Sequence, residues 1–393
     1  MITMSGAWIL GAVRTPGCKA KKGKLKDVRP DDLAAIAIRA LLERTGVEPG
    51  RVEDVIMGCA FPEGEQGMNL GRVAAMRAGL PVEVPGQTVN RFCASGLQAI
   101  ATAAERILAG HADVIVAGGA ESMSLVPMGG ARFSANPGLV ASWPESYAAM
   151  GITAELVASR YRVSREDQDA FAAQSHARAA AAQAQRLFAG ELVPVDVERV
   201  ALVDGKLARG RERVEADDGV RADTTPEALA RLAPAFKANG SVTAGNASQM
   251  TDGAAAVLVV SEAFLARTEV APLGRFVSYA VRGVPPEVMG IGPVEAIPLA
   301  LARAGILEEQ LGQVELNEAF AAQAITCVRA LGLDPARVNP TGGAIALGHP
   351  LGCTGAKLTA TLLHGLRRTG ERYGAVSMCV GGGMGAAAVF ERA

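Results

Sequence analysis

The stretch "QTVNRFCASGLQAIATAAERI" (residues 87–107) changes character in its middle. Its first residues read as a short strand, Asn90-Arg91-Phe92 as a turn, and the Ala-rich remainder as a helix with Leu97, Ile100 and Ile107 at helical spacing. Cys93 therefore falls where a helix begins. A thiol there is either a small buried hydrophobe or an activated nucleophile, and the stretch alone does not choose between them.

A second stretch, "RVNPTGGAIALGHPLGCTGAKLTATLLHGL" (337–366), follows the same plan. Thr88-Val-Asn matches Arg337-Val-Asn, and Cys93-Ala-Ser-Gly opening a helix matches Gly352-Cys-Thr-Gly opening a helix. Outside these stretches, Asp54-Val-Ile-Met-Gly matches Gln313-Val-Glu-Leu-Asn, and Asp113-Val-Ile-Val-Ala-Gly-Gly matches Gly374-Ala-Val-Ser-Met-Cys-Val-Gly-Gly. This is a long-period internal repeat rather than a solenoid array. Short apolar runs alternate with Ala/Leu-rich helical runs on both sides, the α/β signature. Two related halves would set equivalent strand ends side by side, so chemistry from both converges on one cleft. Residues 1–120 with 245–270 are expected to form the first half and 271–393 the second. Residues 121–244, richer in charge, Pro and polar turns, read as an insertion with a long helix near Glu166–Phe188.

Composition narrows the function. The 393 residues are 49% hydrophobic but only 4% aromatic, so aliphatic and Ala/Gly packing must fill the core. Lys+Arg of 39 against Asp+Glu of 40 leaves a net charge of −1, which provides no global field for nucleic acid or an anionic membrane. The basic run Lys19–Lys26 reads as a solvated loop. No signal-peptide pattern and no transmembrane-length apolar run occur. Six cysteines without a C-x-x-C pair argue against a zinc ribbon or a disulfide scaffold and point to a reducing cytosol. No H-E-x-x-H or G-x-S-x-G element is present, and no metal site is expected.

Four stretches carry candidate chemistry, each at or just past the end of an expected strand: Cys93 in "VNRFCASG", Asn317 in "ELNEAFAAQ", His349 in "GGAIALGHPLGCTG" and Cys379 in "SMCVGGGMG". A helix N-terminus favours a nearby anion by about 0.3–1 kcal/mol, less than one pKa unit, so Cys93 needs a base. Of the four histidines, His111 and His176 read as surface residues and His364 lies within a helix, which leaves His349, fixed between Gly348 and Pro350. His349 reads either as a structural turn residue or as that base. The glycines from Gly381 to Gly383 would let backbone N–H groups turn toward an oxyanion. Too little chain follows them for a dinucleotide fold.

Together these stretches resemble the thiolase family, the acetyl-CoA C-acyltransferases. "VNRFCASGLQAI", "AGGAESMS", "TAGNASQMTDGAAA", "LNEAFAAQ", "GGAIALGHPLGCTGA" and "MCVGGGMGAA" occur in family order along essentially the whole chain. The resemblance implies a thiolase fold: two βαβαβαββ halves in five αβαβα layers with a large inserted loop domain. It implies Cys93 as acylated nucleophile and His349 as proton acceptor and holder of the thioester oxygen. Asn317 would position a water at that oxygen, and Cys379 would act as second acid/base. The amides of Cys93 and Gly381 would form a second oxyanion site. For coenzyme A it implies Arg221 near the adenine diphosphate end, Met150 and Phe236 along the pantetheine, Ala244 and Ser248 lining the tunnel, and Ala319 and Phe320 at the thiol end. CoA thioesters are then the substrates, with no permanently bound cofactor, and a cytoplasmic homodimer or homotetramer is expected.

One departure bears on the substrate. Family members that form acetoacetyl-CoA carry His-Met before G-x-T-A-E; here Ala149-Met150 precedes Gly151-Ile152-Thr153-Ala154-Glu155. A roomier acyl end favours a degradative 3-ketoacyl-CoA thiolase of fatty acid β-oxidation over an acetyl-CoA acetyltransferase. A β-ketoacyl synthase-like enzyme would place His or Asn at Cys379, and a silent lipid carrier of this fold would have lost Cys93, His349 or Cys379.

Overall fold

The computed structural model describes residues 6–203 and 206–393. In chain order the strands are β1 (Ala7–Arg14), β2 (Cys18–Lys19), β3 (Asp54–Gly58), β4 (Gly86–Val89), β5 (Val114–Ser122), β6 (Val195–Val203), β7 (Lys206–Val214), β8 (Thr251–Ser261), β9 (Gly274–Gly283), β10 (Leu311–Leu316), β11 (Tyr373–Val380) and β12 (Met384–Arg392). The helices are α1 (Pro30–Thr45), α2 (Leu70–Ala78), α3 (Ser95–Leu108), α4 (Pro137–Ser142), α5 (Met150–Arg160), α6 (Arg165–Ala184), α7 (Pro226–Ala230), α8 (Glu262–Leu265), α9 (Gly292–Ala304), α10 (Ala321–Leu331), α11 (Ala344–Leu347) and α12 (Leu351–Thr369).

The strands run β10-β11-β12-β9-β1-β8-β5-β3-β4, with β2 paired to β8. Each half contributes the same order, β1-β8-β5-β3-β4 and β9-β12-β11-β10. The two meet where β1 and β9 pair antiparallel over Ala7–Ile9 only. The expected third strand of the second half shrinks to a single parallel bridge, Val314↔Val338. The rest of the repeat is intact, including the parallel pairs β3·β5 and β10·β11 and the closing antiparallel strands.

Side-chain alternation builds the layers. On β8, Ala255, Val257 and Val259 face a central core shared with α3 and α12, and Ala256, Leu258 and Val260 face α1 and α2. On β12, Ala386, Ala388 and Phe390 face the same central core, and Ala387 and Val389 face α9 and α10. Both faces of each sheet half are buried, which is why these strands read as continuous apolar runs. The result is five layers with α3 and α12 in the middle one. Between the adjacent strands β5 and β8 the chain makes a long excursion containing α4–α7 and the β6–β7 hairpin.

Glycine lets the two central helices touch. A Cβ on Gly355 of α12 would lie 2.2 Å from the Leu97 amide of α3, and one on Gly96 of α3 would lie 2.9 Å from the Ala356 amide of α12. Gly96 and Gly355 are repeat equivalents, so the contact is reciprocal. Gly355→Ala is expected to lower stability by about 1–3 kcal/mol through overpacking, read from the denaturation midpoint. Gly210→Ala, which meets nothing within 4 Å, serves as the neutral control.

Candidate active site

The helix contact sets two N-termini side by side, and each carries a chemical group. Cys93 sits in the turn Phe92–Ala94 leading into α3. Phe92 adopts φ +44, a conformation non-glycine residues seldom take. Local hydrogen bonds hold it there. The Phe92 amide donates to Asn90 Oδ1 (2.9 Å), the Arg91 amide donates to Ser95 Oγ (2.9 Å), and Ser95 Oγ donates to the Phe92 carbonyl (2.7 Å). The residues of "NRFCAS" thus present the thiol to a cavity.

His349 precedes α12 and is fixed from several directions. Its amide donates to the Gln249 carbonyl (3.0 Å) and to Thr251 Oγ1 (3.1 Å). Lys357 Nζ of α12 donates to the Leu347 and Gly348 carbonyls (2.6 and 3.0 Å), pinning the turn. The ring contacts Thr354 Oγ1 through Nδ1 (2.6 Å) and Asn317 Nδ2 through Nε2 (3.3 Å). Because the Thr354 hydroxyl donates to the Pro350 carbonyl (3.1 Å), it accepts from the ring, which puts the hydrogen on Nδ1 and leaves Nε2 with its lone pair. Glu121, buried in the floor, accepts N–H bonds from Ala60 (2.7 Å) and Gly352 (2.8 Å) and so ties α12 to the end of β3.

Cys93 and His349 line one cavity of about 360 Å³. All seven residues read as coenzyme A contacts line it too: Met150, Arg221, Phe236, Ala244, Ser248, Ala319 and Phe320. Phe236 and Phe320 pack edge to face at 6.1 Å. Cys379 and Asn317 have no exposed surface and stand behind the cavity wall, Cys379 in an apolar nest with Met289 and Ala319. The Gly381 amide faces the Cys93 sulfur together with the amide of Cys93 itself.

Burial sets the resting charges. It pushes the Cys93 thiol from 9.0 up to about 12, with the two amides opposing it. That displacement is worth about 4 kcal/mol, against about 1 kcal/mol from a helix N-terminus. Burial also lowers His349 to about 3, with Lys357 adding to the effect. Burial raises Cys379 well above the usual thiol range, and the nearby Cys93 and Cys327 add to it. The site at rest therefore holds neutral thiols and a neutral imidazole. Proton transfer has to accompany attack.

Three features were not legible in the sequence. His176, read as a surface residue, is 3% exposed and lines the cavity. Burial and Arg221 lower its pKa to about 4, and its Nδ1 accepts the Arg221 amide (3.2 Å). It shares the buried face of α6 with Ala172 and Ala179, a spacing hidden by the surrounding alanines. Lys19, assigned to a solvated loop, lines the cavity, and its pKa falls through burial and through Arg221. Thr354, which fixes the His349 tautomer, was not singled out.

The Thiolase, N-terminal domain pattern matches residues 7–263 and the Thiolase, C-terminal domain pattern matches residues 270–392. The chain belongs to the thiolase family. This thiolase is 54% identical over 389 residues to a 3-ketoacyl-CoA thiolase of Bacillus subtilis (strain 168), covering 99% of this chain and 100% of that one. It is 46% identical over 386 residues to the peroxisomal 3-ketoacyl-CoA thiolase of Homo sapiens, covering 96% and 89%. Among solved structures, the Bacillus anthracis acetyl-CoA acetyltransferase superposes with a TM-score of 0.91 and the human mitochondrial 3-ketoacyl-CoA thiolase with 0.89. Each is 39% identical and each match covers 99% of both chains.

The neutral thiol–imidazole pair has a measurable signature in this thiolase. Iodoacetamide labelling of Cys93 should accelerate about tenfold per pH unit from roughly pH 6 to pH 9 without levelling, because the thiolate fraction keeps rising below a high pKa. A plateau above about pH 7 would indicate a preformed ion pair instead.

Proposed function

We propose that the chain is a 3-ketoacyl-CoA thiolase that cleaves 3-ketoacyl-CoA with coenzyme A into acetyl-CoA and an acyl-CoA two carbons shorter, the reverse being a Claisen condensation. The observation that carries this is one cavity shared by Cys93 and His349, with Cys379 behind its wall within electrostatic reach of Cys93. Cys93 Sγ attacks the 3-keto carbon as its proton passes to His349 Nε2. The C2–C3 bond breaks, and its electron pair leaves on C2 as the enolate of acetyl-CoA, which takes the Cys379 proton. Incoming coenzyme A gives its thiol proton to the Cys379 sulfur and attacks the acyl-Cys93 thioester. Acyl-CoA departs and the Cys93 thiolate recovers its proton from His349.

Sulfur suits the nucleophile because thioester-to-thioester transfer is nearly isoenergetic, whereas a serine ester would trap the acyl group. Negative charge develops on two different oxygens. The Cys93 and Gly381 amides serve the acyl oxygen. His349, with a water held by Asn317, serves the thioester oxygen; Asn317 Oδ1 is buried and without a partner. One such donor is typically worth about 2.7–4 kcal/mol in the transition state.

Lys19 and Arg221, whose like charges oppose one another, suit a polyanion such as the phosphates of coenzyme A, and Met150 and Phe236 suit its pantetheine arm. Residues 121–244 then act as a CoA-binding insertion within the first half, 1–120 with 245–270, and 271–393 form the second half. Degradative work in fatty acid β-oxidation, a cytoplasmic location and a homodimer or homotetramer complete the reading. Among the described residues no helix is long and apolar enough to cross a membrane.

The test separates the two sulfurs. Cys379→Ser should slow exchange of the acetyl-CoA α-protons at least a hundredfold while Cys93 acylation falls far less. Equal losses in both steps would remove the separate role of Cys379.

A further inference from the structure

Five ionisable side chains that the reaction above does not use lie together behind the His349 turn. They are Arg14 at the end of β1, Glu191 and Asp217 in the insertion, Glu315 on β10 and Lys357 on α12. None is more than 5% exposed and none lines the catalytic cavity. Arg14 binds Asp217 through both terminal nitrogens (2.7 and 2.9 Å) and Glu191 through Nε (2.5 Å). Thr361, one turn along α12 from Lys357, donates to the same Glu191 oxygen (3.0 Å). Burial raises Glu315 to about 8, with the Gln313 amide (2.7 Å) opposing and Glu191 and Glu318 adding to it, so this carboxyl is largely protonated at neutral pH. Arg14 and Lys357 then stand against Glu191 and Asp217, and the charges of the cluster cancel.

Lys357 is the member that touches the catalytic turn. Its Nζ donates to the carbonyls of Leu347, the last residue of α11, and Gly348, the residue before His349. Gly348 adopts φ +81, and a Cβ there would lie 2.2 Å from Thr251 Oγ1, the atom that accepts the His349 amide. The turn is thus a glycine conformation with two buried carbonyls that depend on one ammonium.

We propose that Lys357 is a positioning residue for the thiolase reaction: held by the charges of Glu191 and Asp217, its ammonium fixes the Leu347–Gly348 turn and so aims the His349 imidazole at the Cys93 proton. The inference rests on the thiolase reading above and goes beyond it, because Lys357 does not line the cavity and acts through another residue. A misplacement of about 1 Å at a reacting group costs on the order of a hundredfold in rate, so the ammonium acts on kcat. Coenzyme A meets other side chains, so its KM should hold. Charge matters as well as shape. Burial lowers Lys357 to about 8; Asp217, Cys353 and Glu191 oppose this and Arg14 adds to it. The ammonium is therefore present below about pH 8 and is lost as pH rises through that value, leaving both carboxylates to Arg14 alone.

The experiment measures kcat, and KM for coenzyme A, in the thiolysis of acetoacetyl-CoA from roughly pH 6 to pH 10. It compares the wild type with Lys357→Met, which removes charge and donors, and Lys357→Arg, which keeps both. At neutral pH Lys357→Met should lower kcat at least about tenfold with KM within about twofold of the wild type, and Lys357→Arg should restore most of kcat. Wild-type kcat should fall as pH passes about 8, and Lys357→Arg should stay active beyond that point because a guanidinium keeps its charge. If Lys357→Met does not fold, the pH profile of Lys357→Arg decides alone. A folded Lys357→Met with wild-type kcat would overturn the proposal. An alkaline fall at the same pH in Lys357→Arg would overturn it too, by assigning the fall to another group such as Glu315. No thiolysis by the wild type would remove the thiolase reading itself.

Discussion

The reciprocal contact between Gly96 and Ala356 on one side and Gly355 and Leu97 on the other holds the molecule's chemistry in place. Two helices, each entering from its own half, approach until backbone meets backbone. Their N-termini then lie together in the central layer, where one brings a sulfur and the other an imidazole. Gly119 and Gly352 extend the same logic, since a Cβ on Gly119 would lie 2.1 Å from the Gly352 carbonyl. Glu121 adds a buried clamp on the Gly352 amide. Duplication thus yields two equivalent helix starts, which have diverged: Cys93 in the first half stands where the second half has Gly352. The second half carries an imidazole three residues earlier, at His349.

Desolvation then governs the electrostatics. Burial outweighs the helix N-terminus at Cys93 by about fourfold in free energy, and it strips His349 of its charge. A neutral site holds no ion pair at rest, and the amides of Cys93 and Gly381 oppose the effect of burial on the Cys93 thiol. Positive charge lies elsewhere in the cavity lining, on Lys19 and Arg221. The Thr354 hydroxyl, committed to the Pro350 carbonyl, sets which imidazole nitrogen is basic.

Much of this was readable because the repeat carries local signals. Strands buried on both faces read as apolar runs, and glycine-dense turns marked the places where the chain approaches itself. The residues read as catalytic and CoA-binding gather at one cavity and its wall. What escaped depends on contacts between distant segments. His176 belongs to a helix whose alanines hide its buried face, and it meets Arg221 only in the folded chain. Lys19 sits in a basic run that looks solvated until the insertion packs beside it. Thr354 gains its meaning only from the direction of the imidazole at position 349. The β1–β9 junction spans three residue pairs, too short a pattern to stand out, and the third strand of the second half left only the bridge at Val338.

The central claim is that one half makes the nucleophile and the other makes it reactive. Stoichiometric acetyl-CoA, quenched at short times and followed by peptide mass mapping, tests this in one measurement on the wild type and His349→Ala. The account predicts an acetyl group on the Cys93 peptide of the wild type and at least a hundredfold slower labelling of that same peptide in the variant, with coenzyme A still bound. Labelling of Cys93 at an undiminished rate without the imidazole, or an acetyl group carried by another cysteine, would contradict it.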